Sequence, residues 1–183
     1  MGAAAVTVGS GALEVTSPSA SADRAPVVGL ADLYAAHYAR LVRTAAFLTG
    51  DRDSAEEVVQ DAFVQLHARW SRLREPQAYL HTAVVNLSRS KLRRRVVAAR
   101  FRPEPDRQMD SAEAGALGLL QRRDLAIALR ALPRRQREAV VLRYYADLSE
   151  AQTAAAMGCS AGAVKSHTSR AMAALRQLLE DRP

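Results

Sequence analysis

Residues 149–179 read SEAQTAAAMGCSAGAVKSHTSRAMAALRQLL, a stretch that predicts two helices joined by a tight turn. Ser149 and, three residues later, Gln152 form a capping box, which satisfies backbone donors at the start of a helix. Gly158 supplies the left-handed conformation that ends this helix, and Ser160 can cap the one that follows. We therefore expect a helix-turn-helix here.

The second of these helices divides into an apolar and a polar face. At about 100° per residue, Val164, Ala171 and Leu175 share one side. The other side is small, polar and basic and carries Lys165, Ser166, Ser169 and Arg170. A DNA major groove admits one helix and presents acceptors to such side chains. A solvated surface helix is the alternative, and the Ser-capped turn favours DNA binding over it.

The composition also favours a polyanion as partner. The 183 residues include 26 Lys and Arg against 19 Asp and Glu, for a net charge of +7, and the pI is near 10.3. An Ala- and Leu-rich sequence with 5% aromatic residues and no alternating run predicts an all-α fold. The single cysteine offers no disulfide framework, and no apolar run approaches the roughly 20 residues of a membrane helix. We expect a soluble, cytoplasmic protein without membrane insertion.

The histidines and most aromatic residues give no sign of a metal or cofactor site, and neither is expected. The four histidines lack metal-ligand spacing and are expected at the surface or as hydrogen-bonded packing residues: His37, His67, His81 and His167. Other aromatic residues stand beside apolar positions and are expected in the core: Tyr34, Tyr38, Trp70, Tyr144 and Tyr145.

Changes in composition divide the chain into two small helical domains. Residues 1–28 lack a basic start and a continuous apolar segment, so we expect a disordered tail and not a signal peptide. Residues 101–120 are polar and contain two prolines and two glycines, which predicts a flexible interdomain linker. The domains are then residues 29–100 and residues 121–180, the second ending in the helix-turn-helix.

In the first domain, the segment from Asp53 to Leu66 predicts a helix with one acidic face. Asp53 and Glu56 form a capping box at its start. The acidic stripe consists of Asp53, Glu56, Glu57, Gln60 and Asp61, opposite an apolar stripe. Acids repel DNA, so this stripe predicts a basic protein surface as partner. Simple solubility is an equally good interpretation of the pattern alone.

The segment from Pro76 to about Arg95 predicts a further helix, with a basic outward face. Leu80 and Val84 lie on its core side, whereas the outward face carries Tyr79, Thr82, Asn86, Arg89 and Arg93. An aromatic ring beside an amide and cations is what proteins use to hold an unstacked base. A solvated helix is the alternative, and a membrane-surface helix is disfavoured because the face has no large apolar wedge.

Three motifs in this order resemble the extracytoplasmic-function (ECF) sigma factors, the small two-domain members of the bacterial sigma family. They are LYAAHYARLVRTAAFLTGDRDSAEEVVQDAFVQL, AYLHTAVVNLSRSKLRRR and LPRRQREAVVLRYY, the last of which leads into the helix-turn-helix. The resemblance covers residues 30 to about 179. It implies a sigma region 2-like domain that binds core RNA polymerase and the minus-ten promoter element, and a region 4-like domain that binds the minus-35 element. An anti-sigma factor is a further implied partner.

The resemblance also implies residue roles. The five residues of the acidic stripe match the polymerase-binding helix. Minus-ten binding falls to Tyr79, Asn86, Arg89, Lys91, Arg93 and Arg94, with Asn86 contacting an extruded base. Minus-35 recognition falls to Lys165, Ser166, Ser169 and Arg170, and phosphate contacts to Arg134, Arg135 and Arg143. Two positions depart from the pattern: Tyr79 replaces a frequent Trp and Gln77 replaces a Phe, which implies weaker aromatic support for strand separation.

Two other classes of protein remain to be weighed. An enzyme is disfavoured because the sequence has no Gly-rich phosphate loop, no nucleophile near a plausible His and no paired carboxylates in an apolar pocket. A stand-alone regulator that binds operator DNA as a dimer is the serious alternative. Such a regulator would normally carry a sensory or phospho-acceptor domain, for which the first domain offers no phosphorylatable Asp pocket.

Overall fold

The computed structural model describes residues 29–99 and 116–180, which form helices joined by turns and contain no strand. The expected tail, residues 1–28, and residues 101–115 of the expected linker lie outside this part of the chain. The elements are α1 (Leu30–Thr49), α2 (Arg52–His67), a 3-10 turn (Trp70–Arg72), α3 (Pro76–Ala99), α4 (Ala116–Ala131), α5 (Arg134–Val140), a π-helical turn (Val141–Tyr145), α6 (Glu150–Met157) and α7 (Ala161–Glu180).

Helix α4 begins inside the segment that the sequence predicted to be a linker. Its first residue is Ala116, well after the last proline of that segment, Pro105. A single glycine such as Gly118 costs a helix only about 1 kcal/mol relative to alanine and does not stop it. The second glycine of the predicted linker therefore lies within a helix.

The first helical unit is a three-helix bundle of α1, α2 and α3. Its most buried large side chains, each at most 3% exposed, include Leu41, Leu48, Val59, Leu66, Leu80 and Val84. Each helix contributes an apolar stripe at helical spacing, so the three stripes close around one core. This packing determines which side chains of α2 and α3 face outward.

The start of α2 differs from the prediction. The N-cap is Asp51, whose side chain accepts a hydrogen bond from the backbone of Ser54 at 2.7 Å, and not Asp53. Gly50 has a φ of +89°, which ends α1 and turns the chain so that Asp51 is extended. Arg95 of α3 reaches the other carboxylate oxygen of Asp51 at 2.6 Å. The cap of α2 is thus also an anchor for α3.

The second unit consists of α4 to α7 and contains the expected helix-turn-helix. Ser149 and Gln152 form both hydrogen bonds of the capping box, and Gly158 has a φ of +64°. The hydroxyl of Ser160 accepts from the backbone of Ala163 at 3.2 Å. These local predictions are confirmed. Fully or nearly buried side chains fill the core of this unit: Leu129, Leu132, Val141, Leu142, Met157, Val164, Ala171 and Leu175.

A π-helical turn links α5 to α6 and reorients the chain. Ala146 donates to the carbonyl of Val141 at 2.9 Å and Leu148 to that of Leu142 at 3.0 Å. Asp147 then adopts a φ of +56°, which is uncommon for a residue other than glycine. The wider turn carries Tyr145 to the side of the second unit that faces α1, so the two units contact each other there.

Two expectations about individual side chains are wrong. Tyr34 and Tyr144 are 44% and 63% exposed, whereas Tyr38 and Tyr145 are partly buried. Phenol rings are amphipathic, so a helical position beside apolar residues does not decide their burial. His81 is 7% exposed, and its Nδ1 has no hydrogen-bond partner among the described residues. It is a packing residue without the expected hydrogen bond.

Candidate functional site

Helix α2 presents its acidic stripe to solvent. Its apolar stripe is buried, with Ala55, Val59 and Leu66 at 0% exposure, and this fixes the opposite face outward. Asp53, Glu57, Gln60 and Asp61 are exposed, and Glu56 is half-exposed. The sequence prediction of a segregated acidic face is therefore confirmed in its geometry.

Two cations lie against this stripe. Arg52 Nε is 2.8 Å from Glu56 Oε1 within α2. Lys91 of α3 contacts Glu57, so it lies beside the acidic stripe, and Arg94 lines the same small pocket between α2 and α3. Exposed pairs of this kind are worth at most about 1 kcal/mol. A basic partner surface can therefore replace these cations at little cost.

The outward face of α3 begins with Tyr79 and continues through Asn86. The Tyr79 hydroxyl is 3.4 Å from Gln65 Oε1, and the guanidinium carbon of Arg69 lies 5.9 Å from the ring centroid. These contacts hold the Tyr79 ring at the first turn of α3. Asn86 is exposed, and its Oδ1 accepts from Arg89 at 3.4 Å. Arg93 and Arg94 are also exposed, so most of this face is open to a ligand.

Arg89 is the exception on this face, because it is held between the two helical units. Its Nε and Nη2 donate to the two carboxylate oxygens of Glu138 at 2.8 and 2.7 Å. Nη2 also donates to the carbonyl of Met157 at 3.0 Å. The side chains of Arg89 and Glu138 are 15% and 3% exposed. Hydrogen bonding to Glu138 raises the pKa of Arg89 above its ordinary value, although burial acts in the opposite direction.

The recognition face of α7 points to solvent as predicted. Lys165, Ser166, Ser169 and Arg170 are all exposed, whereas Val164 and Ala171 on the other side are 0% exposed. Because α7 is fixed by those buried residues and by the turn before it, this polar face is presented on a rigid element. Such a face has the shape and the donors to enter a major groove.

The three arginines predicted to contact phosphate differ in how free they are. Arg134 is 44% exposed, with its Nε 3.6 Å from Glu138. Arg135 donates to the carbonyl of Met157 at 2.8 Å. Arg143 donates to the carbonyl of Leu148 and so braces the turn into α6. Arg134 is the most accessible of the three.

Sequence reasoning missed the residues that join the two units. They are Arg40, Arg43 and Phe47 on α1, Arg130 on α4, Glu138 on α5 and Tyr145 in the π-helical turn. One signal was present: Glu138 is an isolated acid in the basic segment PRRQRE, followed by buried Ala139 and Val140. Within residues 29–99 and 116–180, no three His, Cys, Asp or Glu side chains cluster as a metal ion would require. Among the same residues, no helix is long and apolar enough to cross a membrane.

Similar proteins identify the family to which the chain belongs. Residues 33–97 match the family described as Sigma-70 region 2, and residues 122–175 match the family Sigma-70, region 4. The RNA polymerase sigma-E factor of Streptomyces avermitilis is 36% identical over 147 residues, which are 78% of this chain and 80% of that protein. The ECF RNA polymerase sigma factor SigL of Mycobacterium tuberculosis is 33% identical over 160 residues, covering 81% and 88%.

The chain belongs to the ECF sigma factors. Its structure is similar to that of the sigma factor RpoE in complex with the anti-sigma factor NepR from Bartonella quintana. The TM-score is 0.73 at 28% identity, over 85% of this chain and 100% of that chain. CnrH in complex with the cytosolic domain of CnrY gives a TM-score of 0.61 at 27% identity, over 84% and 89%.

Membership in this family gives the two units their functions. As an ECF sigma factor, the chain binds core RNA polymerase, recognises minus-35 and minus-ten promoter elements and promotes transcription initiation. The first unit corresponds to region 2 and the second to region 4. A stand-alone operator-binding regulator is not favoured, because it does not account for the region 2 match.

Proposed function

We propose that this ECF sigma factor binds core polymerase through the acidic stripe of α2. The contact residues are Asp53, Glu56, Glu57, Gln60 and Asp61. The proposal rests on one observation: all the acids of α2 lie on this one outward stripe, while the recognition face of α7 is polar and basic. A basic surface on the polymerase would exchange with Arg52 and Lys91, whose exposed pairs with the stripe are weak.

The outward face of α3 binds the minus-ten element. Asn86 contacts an extruded base, Tyr79 supports it, and Arg93 and Arg94 follow the backbone. Exposure of Asn86 at the middle of the helix supports this assignment, as does the position of Tyr79 at its start. Extrusion costs a few kcal/mol of stacking, which polar contacts to the base must offset. Arg89 and Lys91 complete the set after exchanging their present carboxylate partners for phosphates.

The recognition face of α7 reads the minus-35 element. Lys165, Ser166, Ser169 and Arg170 contact base edges, and Arg134, Arg135 and Arg143 contact phosphates beside the helix-turn-helix. The exposure of all four residues on α7 supports the first part. For the phosphate contacts, the 44% exposure of Arg134 makes it the principal candidate.

The cellular setting follows from the family. The chain acts in the cytoplasm and is not itself an enzyme, because catalysis belongs to the polymerase that it joins. An anti-sigma factor regulates it. Two structural relatives support this last point, since the titles of both describe a sigma factor held by another protein, NepR in one case and the cytosolic domain of CnrY in the other.

Run-off transcription with purified core polymerase and a pool of linear templates tests the proposal. Wild type should initiate at a defined subset of templates, whose transcripts disclose the promoter sequence. Asn86→Ala should retain core binding and lose open-complex formation, and Glu56→Lys with Glu57→Lys should lose core binding. Lys165→Ala should weaken minus-35 binding by about 1 to 3 kcal/mol.

Arg176→Gln provides a matched control, because Arg176 is an exposed basic residue of α7 that lies about two helical turns beyond Ser169, toward the end of the helix. It should transcribe as wild type does. If the Asn86, Glu56 with Glu57, and Lys165 variants transcribe normally as well, the residue assignments are wrong. If wild type starts no transcript with core polymerase and instead binds closed duplex as a dimer, the regulator alternative is correct.

A further inference from the structure

The two helical units contact each other at a junction, where Arg89 of α3 meets Glu138 of α5 and α1 meets Tyr145. One of these residues, Arg89, is also needed for the proposed promoter binding. Arg89 lies on the proposed minus-ten face of α3, yet its guanidinium is paired with Glu138 of region 4. We propose that region 4 closes over this end of the minus-ten face, so that the free sigma factor rests in a self-inhibited form. This inference rests on the proposed role of Arg89 in promoter binding.

The first contact of the closed form imitates a DNA contact. An arginine fork donates two parallel hydrogen bonds to a carboxylate in the same geometry that it uses for a phosphate. Glu138 occupies that position, and the carbonyl of Met157 accepts a further hydrogen bond from the same guanidinium. With 15% of its side chain exposed, Arg89 cannot bind a phosphate until Glu138 leaves. The closed form and promoter binding by this residue are therefore mutually exclusive.

A second contact holds the units together at a distance from the first. Arg43 Nε donates to the Tyr145 hydroxyl at 2.7 Å, and Arg40 donates to the Tyr145 carbonyl at 3.3 Å. The ring of Tyr145 packs edge-on against Phe47, with centroids 4.8 Å apart. Arg130 of α4 also contacts the carbonyl of Gly50. Contacts from α1 and α3 together fix the orientation of region 4, which a single ion pair would not do.

The other partners of Glu138 within region 4 allow the closed form to open. A buried acid that loses its only partner is strongly destabilised, but Glu138 keeps two other partners in its own unit. Arg135 Nη1 lies 3.5 Å from its Oε2 and Arg134 Nε lies 3.6 Å from its Oε1. When the pair with Arg89 breaks, these two cations can move closer to the Glu138 carboxylate. Arg89 is then free to bind water or a phosphate. Residues 100–115, which connect the units, can span about 50 Å when extended, so separation is sterically allowed.

Opening of the closed form should raise the affinity for DNA, by an amount set by the fraction of molecules that are closed. A ligand that binds only one state has an apparent Kd equal to its intrinsic Kd divided by the populated fraction of that state. If about nine molecules in ten are closed, opening lowers the apparent Kd by at most about tenfold, because Asn86, Arg93 and Arg94 stay exposed in the closed form and retain part of the affinity. The probe is a fluorescein-labelled pool of short single-stranded DNA of random sequence, followed by fluorescence anisotropy. The radius of gyration from small-angle X-ray scattering reports opening directly.

The first variant is Glu138→Gln in the full chain, which removes the charge that holds Arg89. It should increase the radius of gyration and lower the apparent Kd by up to about tenfold. Because it also removes a negative charge, Glu180→Gln is the matched control: it removes one acid from the exposed end of α7. The control should leave the radius unchanged and alter the Kd far less. Circular dichroism of each variant confirms that its helices persist.

The second variant changes charge in the opposite direction. Arg40→Gln with Arg43→Gln leaves Glu138 intact and breaks both hydrogen bonds to Tyr145. Both arginines are exposed, so the core of α1 is untouched. Removing two cations weakens DNA binding by simple electrostatics, whereas opening strengthens it. A larger radius of gyration with a lower Kd is thus a result that charge alone cannot produce.

The proposal is overturned if both variants keep the wild-type radius of gyration. It is also overturned if they open without any gain in DNA affinity, because closure then inhibits nothing. The role of Arg89 is tested separately by adding Arg89→Gln to Glu138→Gln: the open double variant should lose the gain. If the gain survives, the DNA role of Arg89 and the self-inhibition that depends on it are both wrong. Scattering still reports closure in that case, since it does not depend on what Arg89 binds.

Discussion

Two of the ion pairs that α3 makes with the rest of the molecule differ in how far water reaches them. Lys91 pairs with Glu57 of α2, with 26% and 60% of their side chains exposed. Arg89 pairs with Glu138 of α5, with 15% and 3% exposed. Exposed pairs are worth little, whereas removing one partner of a buried pair is costly. Two cations two residues apart on one basic helix are therefore available to DNA to very different degrees.

Removal of the buried cation should have the largest effect. Arg89→Met keeps the length of the side chain but leaves Glu138 without its closest partner. Because Arg134 and Arg135 remain within 3.6 Å, we expect loss of the Arg89 pair to cost about 3 to 4 kcal/mol, the lower part of the range for breaking a buried pair. This cost exceeds the roughly 1.3 kcal/mol that corresponds to nine molecules in ten closed, so the two units should separate. Differential scanning calorimetry should then show the two units melting separately. A single transition at the wild-type temperature would contradict the assigned importance of this pair.

His81 is buried as Arg89 is, but no oppositely charged group lies against it among the described residues. Burial, followed by the nearby positive groups His37 and Arg40, lowers the pKa of His81 to about 4. The unfolded chain has a His pKa near 6.5, so unfolding takes up a proton between these two values. The free energy of unfolding should fall as the pH drops from about 6.5 to about 4, by no more than about 3.4 kcal/mol.

Urea denaturation at a series of pH values measures this dependence. His81→Leu removes the titrating group and its unpartnered Nδ1, so this part of the pH dependence should disappear. His67→Gln is the matched control, at an exposed residue at the end of α2, and it should keep the wild-type profile. An unchanged profile in the His81 variant would assign the pH dependence to other groups.

Gly158, in the turn of the helix-turn-helix, should affect stability through its backbone conformation and not through charge. A Cβ on Gly158 would meet nothing within 4 Å, and the cost of Gly158→Ala comes only from its φ of +64°. A residue with a Cβ pays about 1 to 2 kcal/mol in the left-handed region. We expect a loss of about 1 kcal/mol in the stability of region 4 by urea denaturation. Gly162→Ala in α7, where φ is ordinary and the nearest atom is 4.0 Å away, should be neutral or stabilising.

Contacts between residues close in sequence could be predicted, whereas contacts between distant segments could not. Ser149, Gln152 and Gly158 act within a few residues of each other, so the helix-turn-helix and its exposed face were predicted from local chemistry. The start of α2 was placed at Asp53 because its capping box looked complete. The actual cap is Asp51 because Gly50, one residue earlier, ends α1 in the left-handed conformation.

Long-range pairing was the part that local patterns did not contain. Arg89 and Glu138 are 49 residues apart, and nothing in either segment specifies the other. The basic face of α3 was correctly predicted, but the pattern could not tell that Arg89 is held in the junction while Asn86, three residues earlier, is free to solvent. Burial of a charged side chain depends on packing between units, which a helical periodicity within one unit does not encode.

The exposed pair should give the smallest effect and so completes the comparison with Arg89. Lys91→Met removes the cation from Glu57, whose side chain is 60% exposed and can return to water. We expect a change of less than about 1 kcal/mol in the free energy of unfolding by urea denaturation. The effect should vanish at about 1 M salt, where the Debye length is about 3 Å, whereas that of Arg89→Met should persist because a buried pair is screened less. A loss as large as that of Arg89→Met would mean that exposure does not set the strength of these pairs, and Lys91 would then be no readier than Arg89 to exchange its partner for a promoter phosphate.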